Sequence, residues 1–476
     1  MRNTKILCTL GPAVDSEEGI RALILGGMNG ARFNFSHGTH ESQLATFRRF
    51  QKVRAELGIP VAAVLDTKGP EIRVKSFTGG AAELQAGTSF TLTSREIEGN
   101  ASGVSVTYEK LAQELHGGER VLIDDGLVEL RVERIEGQDV ICTVINGGRL
   151  SDHKSINLPD THIHLPAVTE KDRSDLRFAA QHGFDYIAAS FIRSAGDVAA
   201  VRAVLEENGA SGIRIIAKVE NREGVEHLDE ILNAADGVMV ARGDLGVEIP
   251  ACEVPVVQKE MVRRAVRRGK PVIIATQMLD SMIRNPRPTR AEISDVANAI
   301  FDDASCVMLS GETASGKYPL EALRTMVETV EAAEASLDRW ARLGREQGEE
   351  NDSINEAITH ACCTTAKDLR AAAILTVTKT GHTARMISRF RPGCPILALT
   401  PDERVQRQLA LSWGVEPIRV KEAGSTDELL RNSVERVREC GCVNDGDTVV
   451  ITAGIPIGGT GSTNLIKAQI IGESVS

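Results

Sequence analysis

Two carboxylates and a lysine lie close together near the middle of the chain, in segments that could act on an anion. Lys218 and Glu220 are two residues apart within Ile215–Gly224, and Asp244 follows Gly243 shortly afterwards. Carboxylate oxygens suit one Mg²⁺ that keeps positions open for substrate oxygens. Gly243 and Asp244 lie at a turn that opens a helix, where backbone amides can bind a carboxylate or a phosphate. This set predicts the electrostatic clamp that phosphoryl transfer requires.

Polar residues of the same kind follow four other apolar runs. Lys218 alternates with apolar neighbours, so its side chain should point inward, where a lysine must face negative charge. Taken alone, each carboxylate would be a helix cap or the ion-pair partner of a nearby arginine, Arg222 or Arg242. Six apolar runs, the two above and these four, end in polar or charged residues, and together they indicate one shared site. The further candidates at the run ends are Arg32, Asn34, Ser36, His37, Asp66, Thr67, Arg73, Thr276, Ser310 and Glu312.

The elements that must position these residues are short apolar runs that alternate with helical patterns. The predicted strands are Lys5–Leu10, Ala31–Phe35, Pro60–Asp66, Tyr186–Phe191, Ile213–Val219, Gly237–Ala241, Val272–Thr276 and Ser305–Ser310. Eight strand–helix units predict an α/β protein built on a (β/α)₈ barrel, whose chemistry lies where the strand C-termini converge. A doubly wound open sheet is the alternative, but it leaves the count of eight unexplained.

Two further regions depart from this alternation. From residue 71 to 166 the helical period nearly vanishes, and β-rich stretches punctuated by glycines predict an inserted all-β domain. Leu343–Asp352 is polar and aperiodic, which predicts a linker before a separate α/β domain at 353–476. The barrel is therefore expected in two parts, 1–70 and 167–342.

Composition excludes several classes of partner. The net charge of −11 and the aromatic content of 3% argue against nucleic-acid binding, and no apolar run is long enough to cross a membrane. Nine cysteines without a Cys-x-x-Cys pair predict thiols in a reducing cytoplasm. Metal binding by Cys440 and Cys442 is the alternative, but no second pair completes such a site.

Seven segments, in order along the chain, resemble the pyruvate kinase family. They are Gly27–Gly38, Leu65–Arg73, Asn157–Asp172, Ile215–Gly224, Val240–Pro250, Ala275–Ile283 and Leu309–Ala314. The resemblance covers essentially the whole chain and implies a TIM barrel, a β-rich lid inserted after the third strand and a C-terminal α/β regulatory domain. It also implies that phosphoenolpyruvate and ADP are converted to pyruvate and ATP, the last step of glycolysis, by a homotetramer with Mg²⁺ (or Mn²⁺) and K⁺.

The resemblance implies roles for individual residues at the reacting centre. Glu220 and Asp244 hold the Mg²⁺, and Lys218 stabilises the phosphoryl group and the enolate oxygen. Thr276 lies near the carbon that is protonated. The relay that supplies the proton includes Ser310 and Glu312. The residues that bind the substrate are Arg32, Lys218, Gly243, Asp244 and Thr276.

The resemblance also implies a nucleotide site and a K⁺ site. Arg73, which counts among the catalytic residues, and Lys154 of the lid approach phosphate groups. His37 is either near the nucleotide or has a structural hydrogen-bonding role. The K⁺ ligands are Asn34, Ser36, Asp66 and the Thr67 carbonyl. The family's K⁺-independent members carry lysine where this chain has Glu71, so we expect K⁺ to offset the acidic field near the incoming phosphate.

A turn in the last domain predicts a regulatory site. Thr378, Lys379, Thr380, Gly381, His382 and Thr383 form a Thr- and Gly-rich turn before a helix, and its amides and hydroxyls suit a phosphate. The loop Gly454–Ser462 could close over the same ligand. The alternative is a capped helix and a glycine-rich hairpin. With Lys379 and His382 as the only nearby cations in sequence, a sugar or nucleotide monophosphate is favoured as the phosphorylated allosteric effector.

Two other functions fit part of the pattern. A carbon–carbon lyase or mutase that binds pyruvate or its enolate through Mg²⁺ would need two carboxylates and an arginine, but it needs neither Lys154 nor a nucleotide site. A metabolite-sensing protein that lost turnover would be expected to lack Lys218, Glu220, Asp244 or Thr276. All four residues are present.

Overall fold

The computed structural model describes residues 2–340, 343, 353–455 and 463–473 of the chain. Its central element is a closed barrel of eight parallel strands. They are β1 (Lys5–Thr9), β2 (Gly30–Asn34), β3 (Ala62–Asp66), β4 (Tyr186–Ala189), β5 (Arg214–Val219), β6 (Gly237–Ala241), β7 (Val272–Ala275) and β8 (Cys306–Leu309). Strand β1 pairs in parallel with both β8 and β2, which closes the barrel. The predicted (β/α)₈ barrel is confirmed.

Helices follow the barrel strands and cover their outer faces. The outer helices are Glu17–Leu25, His40–Leu57, Glu170–His182, Ala195–Glu207, Leu228–Ala234, Val254–Arg267, Arg290–Phe301 and Pro319–Ala335. Further helical segments directly at the strand ends are Arg222–Glu226, Arg242–Glu248, Asp280–Ile283 and Gly311–Ala314. Thr39, Thr169 and Thr289 begin three of the long helices with capping boxes, which fix where each helix starts.

Alternation along the strands divides each one between the barrel interior and the helical layer. In β5, Ile216 packs in the small interior cluster, while Ile215 and Ala217 pack with the outer helices. Lys218 therefore shares the inner face with Ile216 and Arg214. Leu411, from the last domain, also packs in the interior cluster and contributes to closing the end of the barrel opposite the rim.

The inserted region forms a lid with its own core, which runs from Ile72 to Ile163. Its main sheet contains Ile72–Arg73, Ser89–Thr93, Gly103–Ser105, Arg120–Ile123, Val128–Glu136, Asp139–Asn146 and Ser155–Asn157. A second pair contains Ala81–Leu84 and Gly148–Ser151. The lid also has a one-turn helix, Leu111–Glu114, so it is not purely β. The limits of the three predicted domains, one of them in two parts, stay predictions.

The last domain is the predicted α/β unit. Helix Ile354–Asp368 precedes a sheet of five strands, β9 (Ala373–Val377), β10 (Ile396–Thr400), β11 (Val415–Arg419), β12 (Thr448–Ala453) and β13 (Leu465–Ile470). Its other helices are His382–Ser388, Glu403–Leu409 and Thr426–Glu439. The predicted linker beyond Leu343, and the part of the predicted loop from 456 to 462, lie outside the described residues. Within the described residues, no helix is both long and apolar enough to cross a bilayer.

Candidate active site

The side chain of Lys218 lies at the rim, on the inner face of β5, as its alternation with apolar residues predicted. It is only 9% exposed. Its ammonium is 3.1 Å from Asp66 Oδ1 and 3.1 Å from Glu220 Oε1, and it donates a hydrogen bond of 2.7 Å to Ser190 Oγ. Burial alone would lower the pKa of Lys218, but the two carboxylates outweigh it, so the pKa is raised and the lysine stays charged.

The carboxylates around Lys218 are not equally compensated. Arg32 Nε donates to Asp66 Oδ2 at 2.6 Å. Burial opposes ionisation of Asp66, but Arg32 and Lys218 hold its pKa below the usual value. Burial raises the pKa of Glu220 to about 8, and the nearby Asp244 adds to this although Lys218 offsets part of it. Three carboxylates face two cations, which leaves Glu220 short of positive charge.

This shortage fits a divalent cation. Glu220 is 1% exposed, and its Oε2 accepts a hydrogen bond of 2.6 Å from the Phe191 amide, so the carboxylate is firmly placed. Asp244 lies in helix Arg242–Glu248, which follows β6 directly. Within the described residues, no three His, Cys, Asp or Glu side chains form a complete metal cluster. Two carboxylates alone match an ion that completes its coordination with substrate oxygens and water.

Thr276 is held in an unusual backbone conformation directly after β7. Its φ of 69° is rare for a β-branched residue and indicates local strain. Arg242 Nη2 donates to the Thr276 carbonyl at 2.8 Å, which helps to hold this conformation. Thr276 Oγ1 accepts a hydrogen bond of 2.7 Å from the Gly243 amide and donates one to the Ala275 carbonyl. The sequence-predicted Gly243 and Thr276 are therefore brought together at the rim.

Ser310 and Glu312 lie directly after β8. Glu312 is 1% exposed and accepts hydrogen bonds from the backbone amides of Ser310 at 2.7 Å and Leu279 at 3.0 Å. Ser310 Oγ is buried without a hydrogen-bond partner among the described residues. The two side chains thus share no direct hydrogen bond, and Glu312 positions the Ser310 backbone instead. Their part in a proton relay stays a prediction.

The four residues expected to bind K⁺ lie at the ends of β2 and β3. Asn34 and Asp66 pair in register as the last residues of these strands. The Ser36 amide donates to Asn34 Oδ1 at 3.1 Å. The Thr67 carbonyl accepts a hydrogen bond of 2.7 Å from Ser190 Oγ. Carbonyl, amide, hydroxyl and carboxylate oxygens are hard donors that suit K⁺, but ligation itself stays a prediction.

The cations expected to bind nucleotide phosphates are paired with carboxylates here. Arg73 Nε donates to Glu71 Oε2 at 2.7 Å, so Arg73 already offsets the charge of Glu71, which sequence reasoning did not anticipate. Lys154 Nζ is 2.8 Å from Asp124 Oδ1 within the lid. His37 is exposed at the rim, and its carbonyl accepts a hydrogen bond from Gln43.

A cavity of about 410 Å³ lies between the base of the lid and the rim. It is lined by Pro70 and Ile72 where the chain enters the lid, by Leu158 where it returns, and by Asn221 and Asp244 of the barrel. The space is large enough for small-molecule ligands. It opens beside the candidate metal ligand Asp244.

The predicted regulatory turn has more of its groups engaged than expected. Thr378 Oγ1 accepts from the Gly381 amide at 2.9 Å, and the Thr383 and Thr463 hydroxyls are 2.8 Å apart. Lys379 is exposed, and burial lowers the pKa of His382. Gly381 needs its left-handed φ of 77°, and a Cβ there would also clash with a guanidinium below the turn.

That guanidinium corrects the prediction that Lys379 and His382 are the only cations near the turn. Arg385 Nη2 and Arg214 Nη2 both donate to the Thr380 carbonyl, at 2.9 and 2.8 Å. Burial, with the nearby Arg214 adding to it, lowers the pKa of Arg385 to about 9. The sequence places these arginines far apart, and only the docking of the last domain on the barrel joins them.

Ser190 is another residue of the candidate site that sequence reasoning missed. It directly follows β4, one of the two strands without a candidate at its end, and the only available signal was a hydroxyl at the end of a barrel strand. The next residue, Phe191, has a φ of 56°, and its amide donates to Glu220.

Comparisons with known proteins agree with this geometry. Residues 1–323 match the model of the pyruvate kinase barrel domain, and residues 356–469 match that of the pyruvate kinase alpha/beta domain. A pyruvate kinase from Clostridium acetobutylicum is 50% identical over 472 residues, which cover 99% of this chain and 100% of the relative. One from Geobacillus stearothermophilus is 48% identical over 474 residues, covering 99% of this chain and 81% of the relative.

A solved structure extends the agreement to the whole fold. The crystal structure of a pyruvate kinase from Cryptosporidium parvum superposes with a TM-score of 0.93 at 38% sequence identity, and the match covers 99% of this chain and 96% of the other. Both domain models, full-length relatives and the rim geometry lead to one conclusion: the chain belongs to the pyruvate kinase family and is a phosphotransferase.

Proposed function

We propose that the barrel rim transfers the phosphoryl group of phosphoenolpyruvate to ADP, giving pyruvate and ATP in the last step of glycolysis. The observation that carries this proposal is the Lys218 ammonium, which is buried at the rim against Asp66 and Glu220. A cation held in place before the substrate arrives can stabilise charge that develops during transfer without reorganisation. The lid above this rim would bind the phosphates of the nucleotide.

In the proposed reaction, the bond between phosphorus and the enol oxygen breaks while a bond from phosphorus to ADP forms. Lys218 stabilises both the phosphoryl group in transit and the enolate oxygen that remains. The enolate then takes a proton on its terminal carbon, on the side where Thr276 lies. Ser310 Oγ, a buried hydroxyl without a hydrogen-bond partner among the described residues, suits a relay with Glu312 for that proton.

Binding requires several existing contacts to be exchanged. The substrate would take the amides of Gly243 and Asp244, the first of which now donates to Thr276 Oγ1. Arg32, paired with Asp66, would also contact the substrate phosphate. For the nucleotide, Arg73 and Lys154 would move from Glu71 and Asp124 to phosphate oxygens. His37 completes the proposed nucleotide contacts.

Two cations complete the proposed site. Glu220 and Asp244 would hold Mg²⁺ (or Mn²⁺), which when bound supplies positive charge to the carboxylate and phosphate oxygens of the substrate. The K⁺ ligands would be Asn34, Ser36, Asp66 and the Thr67 carbonyl. K⁺ when bound offsets part of the negative field in which Asp66 takes part.

A coupled assay of pyruvate formation tests the proposal. The chain is assayed with phosphoenolpyruvate, ADP, Mg²⁺ and K⁺, and each component is left out in turn. We expect no pyruvate without ADP, and strong losses without either cation. Release of free phosphate from phosphoenolpyruvate without ATP formation would contradict transfer to ADP.

For regulation, we propose that the turn from Thr378 to Thr383, with Lys379, Thr380, Gly381 and His382, binds a phosphorylated effector. Arg385 supports this because its Nη1 is buried below the turn and has no hydrogen-bond partner among the described residues. Asp236 offsets only part of the Arg385 charge, since burial and the nearby Arg214 still lower the pKa of the guanidinium. An anion on the turn would reduce the cost of burying this cation.

Two further properties are proposed for the whole molecule. Membership of the family supports a homotetramer, and light scattering on the purified chain would measure the oligomeric state directly. All nine cysteines are free thiols, which suits a reducing cytoplasm.

A further inference from the structure

Ser190 connects the catalytic lysine to the proposed K⁺ site. The side chain is 4% exposed and lies directly after β4. Lys218 Nζ donates to Ser190 Oγ at 2.7 Å, and Ser190 Oγ donates to the Thr67 carbonyl at 2.7 Å. The next acceptor, Asp66 Oδ1, is 3.5 Å from the hydroxyl. One hydroxyl therefore contacts both the phosphoryl clamp and a proposed K⁺ ligand.

The direction of these hydrogen bonds follows from the groups involved. An ammonium group only donates, so Ser190 Oγ must accept from Lys218. A carbonyl only accepts, so the single hydroxyl proton goes to Thr67. The one hydroxyl proton is therefore used, and the hydroxyl has one fixed orientation. It ties the position of the ammonium to the position of the carbonyl.

Among the three acceptors of Lys218, Ser190 is the neutral one. The other two, Asp66 and Glu220, are 3.1 Å away and are themselves proposed cation ligands. When those carboxylates share their charge with cations, their hold on the lysine weakens. The Ser190 hydroxyl has no such competing role, so it keeps the ammonium in place.

The backbone around Ser190 is closely packed. Its amide donates to Thr67 Oγ1 at 3.1 Å, which joins the two strand ends a second time. A Cβ on Gly69 would lie 2.7 Å from the Ser190 Cβ, so residue 69 leaves space for the serine only because it is glycine. The amide contact would survive loss of the hydroxyl, so the strand end should stay in place in a Ser190→Ala variant.

We propose that Ser190 is a positioning residue that holds Lys218 for phosphoryl transfer and the Thr67 carbonyl for K⁺. This inference rests on the proposed function. It predicts two linked defects when the hydroxyl is removed. The lysine loses its neutral anchor, and the carbonyl loses the donor that orients it.

The test is Ser190→Ala, with turnover and cation binding measured separately. At saturating Mg²⁺ and K⁺ we expect kcat to fall about 10- to 100-fold, the value of one hydrogen bond to a charged group, while KM for phosphoenolpyruvate changes less than about threefold. Thallium NMR, with Tl⁺ in place of K⁺, measures the affinity of the cation site independently of turnover. We expect Tl⁺ to bind several-fold more weakly to the variant.

Two further variants separate hydrogen bonding from packing. Ser190→Cys nearly keeps the side-chain volume but replaces the hydroxyl with a weak donor and acceptor, so it should show the same two defects as alanine. Ser433→Ala is the matched control, because Ser433 is also buried and donates to a backbone carbonyl, at 2.6 Å, in the last domain. This control should leave both kcat and Tl⁺ binding unchanged.

Each outcome has one meaning. If Ser190→Ala and Ser190→Cys both keep kcat and Tl⁺ affinity within about twofold of the wild type, the hydrogen bonds have no positioning role and the proposal is wrong. If only KM rises, Ser190 affects substrate binding and the proposal is also wrong. Pyruvate formation and Tl⁺ binding by the wild-type chain test the proposed function and its cation site separately.

Discussion

Strand β5 carries a cation at each end, and the two ends differ in how charge is compensated. At the rim, the ammonium of Lys218 contacts two carboxylates and a serine hydroxyl. At the opposite end, Arg214 pairs with Asp236 at 2.8 Å but shares the Thr380 carbonyl with a second cation, Arg385. The rim therefore has more carboxylates than cations, while cations accumulate below the regulatory turn.

The difference indicates which end of β5 has its side chains in place before a ligand binds. Each nitrogen–oxygen contact of Lys218 is made without a ligand, so the lysine is already in position for chemistry. Arg385 is 8% exposed, and its Nη1 lacks a hydrogen-bond partner among the described residues. Because such a group is destabilising, an anion bound at the turn would stabilise it, as the proposed regulatory site requires. This difference agrees with the roles proposed for the two ends of β5, catalysis at the rim and regulation at the turn.

The largest effect is expected at the rim. Lys218→Met removes the charge that is proposed to stabilise the phosphoryl group and the enolate. Interactions made in the transition state affect kcat more than binding, so we expect kcat to fall by about 10³-fold or more, about 4 kcal/mol of barrier. Steady-state kinetics of pyruvate formation provide the measurement, and near-normal turnover in a folded variant would remove Lys218 from its role.

The control is a buried lysine at the other end of the barrel. Lys5 is 4% exposed and donates to the Val415 carbonyl at 2.8 Å, and burial lowers its pKa to about 8. Lys5→Met should change the melting temperature but leave kcat within a few-fold of the wild type. A loss of kcat as large as that of Lys218→Met would mean that any buried lysine supports turnover through stability alone.

Thr276 gives the next largest effect. Thr276→Ala removes the hydroxyl from the proposed protonation side, and one general acid–base contribution is about 10²-fold in kcat. We expect slower exchange between the methyl hydrogens of pyruvate and solvent, with little change in KM. Thr276→Ser keeps the hydroxyl and tolerates the positive φ better, so it should keep most of the exchange. An effect on KM alone would count against the role.

The fold was largely predictable because its signal is periodic. The eight strand ends matched the predicted ones to within one or two residues, and β5 shows why: Lys218 among apolar neighbours reveals the inner face by alternation alone. The inserted lid was also recognisable because it changes the period over a long stretch, and the last domain because a polar, aperiodic linker precedes it. The pairing of one side chain with another leaves no periodic pattern in the sequence.

The parts of the site that the sequence did not predict are contacts between segments that are distant along the chain. Ser190 reaches Lys218 and Thr67 only because β3, β4 and β5 are neighbours in the barrel. Arg214 reaches Thr380 only because the last domain docks below the barrel, where Tyr186 donates to the Gln408 carbonyl at 2.7 Å. A single sequence shows which residues could act but not which of them neutralise each other.

The pairing of Glu71 sharpens the expectation of K⁺ dependence. Glu71 holds Arg73 at 2.7 Å, so Glu71→Lys both releases Arg73 and adds a cation beside it. We expect the stimulation by K⁺ to fall about tenfold, because the added charge replaces about 1.4 kcal/mol of what the cation supplies. Activity is measured with and without K⁺ in buffer free of other monovalent cations.

Glu71→Gln is the matched control for this prediction. It removes the negative charge without adding a positive one, and should keep most of the K⁺ stimulation. If both variants lose the stimulation equally, the release of Arg73 explains the effect and lysine has no special role. Full activity of the wild-type chain without any monovalent cation would show the K⁺ proposal itself to be wrong.

The smallest expected effect concerns the connection between the two ends of β5. Arg214, Ile216 and Lys218 lie on one face of the strand, and four residues of strand span about 13 Å. Arg214 is the barrel residue that contacts the turn at Thr380, so Arg214→Met should reduce the influence of an effector on the rim. A hexose monophosphate and a nucleoside monophosphate serve as probes, and the ratio of KM for phosphoenolpyruvate with and without each probe is measured.

Arg202→Met separates this connection from simple loss of an ion pair. Arg202 is the other cationic partner of Asp236, at 2.7 Å, and its other hydrogen bond among the described residues is to the Ile213 carbonyl rather than to Thr380. An effector lowers KM only by binding the active conformation more tightly, so losing the contact should bring the ratio about threefold closer to one in Arg214→Met, well within usual coupling energies. The ratio should stay unchanged in Arg202→Met. Equal losses in both variants would place the coupling in Asp236, and a normal ratio in both would mean that β5 does not connect the turn to the rim.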